Sequence, residues 1–166
     1  MSELEHPWSL EEEAFAEGYA AVCGADEAGA GPLAGPVYAA AVILPPGLII
    51  DGLNDSKKLS PKKRDALFER ICGDALSFAV SFAAVEEIET MNILNARLLD
   101  MQRAIDALDL PSDFALIDGN RDHGERCSIR TAHRMVVGGD GRSASIAAAS
   151  ILAKVSRDRY VCEVLD

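Results

Sequence analysis

The chain has 166 residues, of which 49% are hydrophobic, and its 27 acidic and 16 basic side chains give a formal net charge of -11. This length suits one domain with a sizeable core and leaves too little chain for two. The acidic balance argues against a nucleic-acid partner, because phosphate binding draws on lysine and arginine, and the apolar runs are too short to span a membrane.

The first predicted elements are a helix and a hairpin. Residues 9–19 begin with Ser-Leu-Glu-Glu-Glu, which is typical of a capped surface helix with acids in its first turn. An apolar lead-in at 20–23 then reaches two adjacent acids, Asp26 and Glu27, and after a glycine-rich stretch a second apolar run covers 37–44. This pattern predicts a hairpin whose first strand carries the acids.

The hairpin turn combines acids with glycines at 29, 31 and 35. Adjacent carboxylates beside buried residues repel each other, so a divalent cation is the natural neutralising partner. Glycines let backbone amides approach a phosphate or a sugar. Two simpler interpretations stay open: an acidic hairpin turn, and a dinucleotide loop, although the latter should open a helix and here Pro36 and a strand follow.

Helices and strands alternate through the middle of the chain. Ser60 as N-cap and Pro61 at the first helical position start a helix that we expect to end near Cys72. Alternation predicts a strand over 76–85. A core-packing stripe then predicts one long helix over 86–108. The stripe consists of Leu94, Leu98, Met101, Ile105 and Leu108.

The last third of the chain places two more acids at the ends of strands. The run 114–117 predicts a buried strand with Asp118 at its carboxyl end, and a strand at 135–137 precedes Asp140 in a glycine turn. A helix should start near Ser143 or Ser145, with alanines against the sheet and free N-terminal amides that could receive a phosphate. Together these elements predict one mixed sheet flanked by helices.

Four segments, in this order, resemble those of type 2 ribonuclease H (ribonuclease HII). They are 24–35, 53–60, 116–120, and 139–140 together with 145–159. Because they span nearly the whole chain in the family's order, the match is more specific than any single motif. The resemblance implies an α/β ribonuclease H-like fold and a single catalytic domain over 1–166.

The resemblance also implies the chemistry. Asp26, Glu27, Asp118 and Asp140 would be the catalytic acids that bind two Mg²⁺ or Mn²⁺ ions. The enzyme would hydrolyse the RNA strand of an RNA/DNA hybrid and cut 5' of a ribonucleotide embedded in duplex DNA, leaving a 5'-phosphate and a 3'-hydroxyl.

Nucleic-acid contacts follow from the same resemblance. Gly29, Ala30 and Gly31 match the turn that recognises the ribose 2'-hydroxyl, and Lys57 matches a lysine that contacts the backbone. Ser143 is assigned to these contacts as well. Three groups of basic residues, within 57–64, 121–134 and 154–159, supply positive charge, to which metal ions would add.

Three departures from the family pattern put the activity in doubt. Family members usually carry arginine at Ala30 and lysine at Gly138, and they continue beyond Asp166 with a tail that supplies a stacking tyrosine. We therefore expect an attenuated enzyme that lacks the tail. An inactive or truncated homologue that binds hybrid duplex without cleavage stays open, and so does another metal-dependent phosphotransfer enzyme on the same fold.

The cellular setting is predicted from cysteine usage and the first residues. Four widely spaced cysteines without a CxxC pair argue against a zinc site and for reduced thiols. The first twenty residues are acidic, unlike a secretory leader. We expect a cytoplasmic monomer without membrane contact.

Overall fold

The computed structural model describes residues 6–29 and 35–160. Within them the strands are β1 (Val22–Ala28), β2 (Val37–Ile43), β3 (Ser77–Ala83), β4 (Phe114–Asp118) and β5 (His133–Val136). The helices are α1 (Ser9–Ala16), α2 (Pro61–Asp74), α3 (Val85–Met91), α4 (Ile93–Asp106) and α5 (Ala144–Tyr160), and short 3-10 helices cover Leu53–Lys58 and Gly139–Gly141.

The strands form one mixed sheet in the order β3-β2-β1-β4-β5. β1 and β2 are the predicted antiparallel hairpin, and β3 adds antiparallel to β2. β4 runs parallel to β1, and β5 runs parallel to β4. Because parallel strands end at the same edge, the acids at the ends of β1 and β4 become neighbours. The predicted mixed sheet with flanking helices is confirmed.

Side chains alternate between two buried layers on the two faces of the sheet. On one face Ala25 and Ala39 pack with Leu98 of α4, and on the other Ala40 packs with the alanines of α5. Helix α5 lies so close to β1 that a Cβ at Gly24 would come within 2.1 Å of the Ser145 carbonyl carbon. Only glycine fits at position 24.

The prediction of one helix over 86–108 is wrong. The helix divides into α3 and α4 at Asn92, whose φ of 73° and ψ of 169° are not helical. The Asn92 side chain also accepts a hydrogen bond from the Asn95 amide at 3.1 Å and so caps α4. The predicted apolar stripe lies in α4 from Leu94 to Ile105, and Leu108 follows the end of the helix.

The other element predictions hold within a few residues. Ser60 caps α2, since its hydroxyl oxygen accepts from the Lys63 amide at 3.3 Å and Pro61 begins the helix. Helix α1 starts at Ser9 as expected, but Glu11 is fully buried, so this helix is not the plain surface helix that its sequence suggested.

Candidate active site

Three aspartates from separate segments line one cleft on the α5 side of the sheet. Asp26 pairs with Ala40, whose side chain belongs to the layer under α5, and Asp118 ends the neighbouring strand. The Gly139 amide donates to Asp118 Oδ1 at 2.7 Å, which ties the end of β4 to the turn that carries Asp140. The cleft has a volume of about 310 Å³.

Basic residues surround these acids. The cleft is also lined by Lys57, Arg64 and Lys154. The Lys57 ammonium lies 3.1 Å from Asp140 Oδ2, and its own side chain is 80% exposed. This contact raises the pKa of Lys57, because the hydrogen bond and the negative charge of Asp140 both favour the ammonium form.

Glu27 approaches the site from the other face of the sheet. Its partner in the register is Ala39, which packs under α4, and the Glu27 carboxylate is paired with Arg97 of that helix. Consistent with this, no three acidic, histidine or cysteine side chains among the described residues stand close enough together to hold an ion as they are now oriented. Glu27 nevertheless lines the same cleft as the three aspartates, although the four acids do not form a finished ligand cluster among the described residues.

The electrostatics of Asp26 nevertheless fit a divalent cation. Burial raises the pKa of Asp26 well above its usual value, and the nearby charges of Asp118, Glu27 and Asp140 raise it further. The Glu27 amide opposes this shift by donating to Asp26 Oδ1 at 2.8 Å. Buried carboxylate oxygens that repel one another are the donors that Mg²⁺ and Mn²⁺ prefer, so the residues present suit such an ion.

Comparison with known proteins identifies the family. The family model described as Ribonuclease HII matches residues 23–165. The chain belongs to the ribonuclease HII family. It is 48% identical over 160 residues to the ribonuclease HII of Caldicellulosiruptor saccharolyticus, covering 96% of this chain and 76% of that protein. It is 61% identical over 138 residues to that of Dechloromonas aromatica, covering 82% and 68%.

Solved structures give the same fold. The ribonuclease H2 of Pyrococcus horikoshii OT3 superposes with a TM-score of 0.75 at 24% identity, covering 87% of this chain and 75% of that one. The ribonuclease HII in a complex with PCNA from Archaeoglobus fulgidus gives 0.71 at 28% identity, covering 87% and 76%. The predicted ribonuclease H-like fold is confirmed.

Family membership makes this chain an endoribonuclease of the ribonuclease H type, from a divalent-metal-dependent family that acts on RNA/DNA hybrids. One structural relative, a Bst-RNase HIII, was crystallised in complex with Mn²⁺. Among the residues that the structure describes, no helix is both long enough and apolar enough to cross a membrane.

The residues predicted to contact nucleic acid differ in their positions relative to the cleft. Gly29 has a φ of 107°, and a Cβ there would lie 2.7 Å from the Pro36 carbonyl oxygen, so glycine is required at the start of the turn. Ala30 and Gly31 lie outside the described residues. Lys57 stands exposed at the mouth of the cleft, where it can reach a duplex.

Ser143 does not stand where the sequence predicted. It is fully buried, and its hydroxyl donates to Glu11 Oε2 at 2.9 Å. In this structure α1 closes off the Ser143 side chain, so the side chain is not placed for the predicted contact with nucleic acid, which stays a prediction.

The prediction of a phosphate site at the start of α5 is wrong, because the first backbone amides of the helix already donate hydrogen bonds within the protein. The Ala144 amide donates to the Pro7 carbonyl at 2.8 Å, and the Ser145 amide donates to Glu11 at 2.9 Å. The Ile146 amide donates to the Ser143 hydroxyl at 3.1 Å. A helix N-terminus binds an anion only where its amides are free.

Sequence reasoning missed three side chains that contact the predicted site residues. Arg97 pairs with Glu27, Glu11 holds Ser143, and the Asn54 side-chain amide donates to the Asp140 carbonyl at 3.0 Å. Only Asn54 lies in a segment that resembled the family, and it carried no assigned role. For Arg97 the available signal was a charge directly beside the apolar stripe of a core helix.

Proposed function

We propose that this protein hydrolyses the RNA strand of RNA/DNA hybrids and cuts 5' of ribonucleotides embedded in DNA, leaving a 5'-phosphate and a 3'-hydroxyl. Asp26, Glu27, Asp118 and Asp140 are the proposed metal ligands, and 1–166 acts as one catalytic domain. The observation that supports this most is the convergence of three aspartates, at least 22 positions apart (118 to 140), in a single cleft with basic walls.

The protein's own groups hold the acids in place. Backbone amides fix Asp26 through Glu27 and Asp118 through Gly139, so two carboxylates point into the cleft with little freedom to turn away. Divalent ions bound there would supply an activated water and stabilise the departing 3'-oxygen. Such preorganised charge is what phosphodiester hydrolysis requires from a protein.

Basic residues at the cleft would position the duplex. Lys57, Arg64 and Lys154 offer positive charge beside the acids of a protein that is negative overall. Contacts of this kind bind phosphates without reading sequence. The turn that begins at Gly29 is the proposed reader of the 2'-hydroxyl, since its left-handed backbone can bring amides close to a sugar.

A second candidate function is binding of hybrid duplex without cleavage. Two of the four acids are occupied by the protein's own cations, Glu27 by Arg97 and Asp140 by Lys57. Together with alanine at 30 and glycine at 138, this favours an attenuated enzyme, and at the limit a silent one.

A cleavage assay separates these functions. Three end-labelled duplexes would be compared with Mg²⁺, with Mn²⁺ and with neither: an RNA/DNA hybrid, DNA with one ribonucleotide, and DNA alone. We expect metal-dependent cleavage of the first two, with a single cut 5' of the ribonucleotide. Binding without cleavage would support the second candidate, and cleavage of DNA alone would contradict both.

Variants then test the site assignment. Asp26→Asn, Asp118→Asn and Asp140→Asn should each abolish cleavage while weakening duplex binding little, because metal ligands act mainly on the transition state. Asp51→Asn, an exposed position outside the cleft, is the matched control. Undiminished turnover in Asp26→Asn would show that the site is assigned wrongly.

A further inference from the structure

We propose that Glu11 of α1 is a positioning residue of the active site, which holds the turn that carries Asp140 and thereby sets the affinity for the divalent ion. This inference rests on the proposed role of Asp140 as a metal ligand. It assigns a function to α1, which lies outside the residues 23–165 that match the family model.

The Glu11 carboxyl group is fully buried and serves the start of α5. Its Oε2 accepts from the Ser143 hydroxyl and from the Ser145 amide, each at 2.9 Å. The other oxygen, Oε1, is buried and has no hydrogen-bond partner among the described residues. A carboxyl group so placed is costly unless its bonds hold firmly, and bonds to a carboxylate at a helix N-terminus are strong ones.

Ser143 passes this constraint to Asp140. The Ser143 amide donates to the Gly139 carbonyl at 2.8 Å, which closes the short turn that contains Asp140. The Asn54 side-chain amide also donates to the carbonyls of Asp140 at 3.0 Å and Ser143 at 3.2 Å. The turn is therefore held by Asn54 directly and by Glu11 through Ser143.

Helix α1 is itself anchored, so Glu11 is a fixed support. The Trp8 indole donates to the Leu48 carbonyl at 2.7 Å, and the ring is 3% exposed. At the next turn Glu13 pairs with Arg134 of β5 at 2.6 Å. A rigid second layer of this kind orients metal ligands, and its loss typically reduces metal affinity or activity by about 10- to 100-fold.

A role confined to helix capping would have a different signature. Loss of a cap lowers the melting temperature but leaves the geometry of a folded site unchanged. Loss of a positioning residue changes metal affinity and kcat in protein that is fully folded, and leaves KM for the duplex nearly unchanged.

The test uses Glu11→Ala and Glu11→Gln in the full chain, with Glu12→Gln on the exposed side of α1 as the control. Mn²⁺ binding is measured without nucleic acid, from the paramagnetic signal of the free ion, and kcat and KM are measured on the single-ribonucleotide duplex. We expect Glu11→Ala to weaken Mn²⁺ binding by about tenfold and to lower kcat similarly. Glu11→Gln keeps an acceptor oxygen and should therefore retain most of the parental Mn²⁺ affinity and kcat. Glu12→Gln should have the same Mn²⁺ affinity and kcat as the parent protein.

A folded Glu11→Ala variant with parental Mn²⁺ affinity and kcat would overturn the proposal, whatever its melting temperature. If that variant does not fold, Ser143→Ala removes one of the two donors and should weaken Mn²⁺ binding several-fold; an unchanged affinity would be equally fatal. Asp140→Asn in the same titration separates the two proposals. If it binds Mn²⁺ and cleaves like the parent, the metal-site assignment fails, whereas if only Glu11→Ala is without effect, the positioning role alone fails.

Discussion

Arg97 and Glu27 form an ion pair on the face of the sheet opposite Asp26. The Glu27 side chain is 11% exposed and the Arg97 side chain 39%. A divalent ion that recruits Glu27 must therefore draw its carboxylate away from a cation that the protein itself provides. With Glu27 as a proposed metal ligand, we expect Arg97 and the ion to compete for its carboxylate.

Removing this competitor should favour the ion. We expect Arg97→Gln to lower the Mg²⁺ concentration for half-maximal cleavage by up to about fivefold, since partly exposed ion pairs contribute at most about 1 kcal/mol. Arg103→Gln is the control, because Arg103 lies on the same helix and pairs with Glu87. A Mg²⁺ titration that shifts equally in both variants, or in neither, would contradict the competition.

Lys57 should contribute one phosphate contact. Its exposed ammonium pairs with Asp140 at 3.1 Å, and an ion bound at Asp140 would release it toward the duplex. Lys57→Ala should weaken duplex binding evenly across sequences and reduce the slope of log affinity against log salt by about one unit. Binding is measured by fluorescence anisotropy at several salt concentrations.

The control for this measurement is Arg70→Ala. Arg70 is half exposed near the end of α2, where it pairs with Asp74, so the variant loses one positive charge away from the cleft. An equal slope change in both variants would mean that the effect reflects net charge alone.

Local signals explain what the sequence could predict. Asp26 and Glu27 follow apolar residues of β1 and precede glycines, and Asp118 ends a short apolar run. Neighbouring residues are therefore enough to predict that these acids lie at strand ends. The break at Asn92 was not predicted because the apolar stripe begins at Leu94, inside α4, and therefore carries no information on whether residues 86–92 belong to the same helix. Nothing in the pattern indicates that Asn92 has a positive φ.

Long-range contacts determine the features that could not be predicted from the sequence. Glu11 and Ser143 are separated by 132 positions, and in sequence Glu11 is one of three consecutive glutamates. Which of the three is buried depends on how α1 docks against α5, and periodicity does not specify that. The same docking removes Ser143 and the first amides of α5 from the predicted nucleic-acid surface.

Asp100 should make stability depend on pH. It is fully buried in α4, and neither carboxyl oxygen has a well-aligned hydrogen bond among the described residues. Burial raises the pKa of Asp100 from 3.8 to about 7, and Ser81 and Arg103 oppose this shift only in part. The folded state therefore retains a proton that the unfolded chain releases near pH 4.

The contribution of Asp100 to the free energy of unfolding therefore falls as pH rises. Stability from Asp100 is fully present below about pH 4 and is lost as pH rises to about 7, at a total cost on the order of 4 kcal/mol. Urea unfolding should therefore show that the Asp100→Asn variant becomes more stable relative to the parent chain as pH rises from 4 to 8. Asp109→Asn, an exposed neighbour just beyond the helix, should show no such gain. A parallel pH profile for the parent and Asp100→Asn would contradict the assignment.

The last prediction concerns the two positions where the family usually has cations. Gly138 has a φ of 65°, and a Cβ built there meets no atom within 4 Å. Lysine therefore fits at 138 sterically but must adopt a left-handed backbone, which costs about 1 kcal/mol of folding stability. Ala30 lies outside the described residues.

We expect Ala30→Arg together with Gly138→Lys to raise cleavage of the single-ribonucleotide duplex by about tenfold or more, because a hydrogen bond to a charged group contributes roughly 1.5 to 3 kcal/mol. The gain should be largest at low Mg²⁺, where the protein's own cations carry more of the phosphate charge. Gly138→Gln is the matched control, since it imposes the same backbone strain without the charge. If Gly138→Lys cleaves no better than Gly138→Gln, and Ala30→Arg no better than the parent chain, then the missing cations do not limit cleavage by this chain.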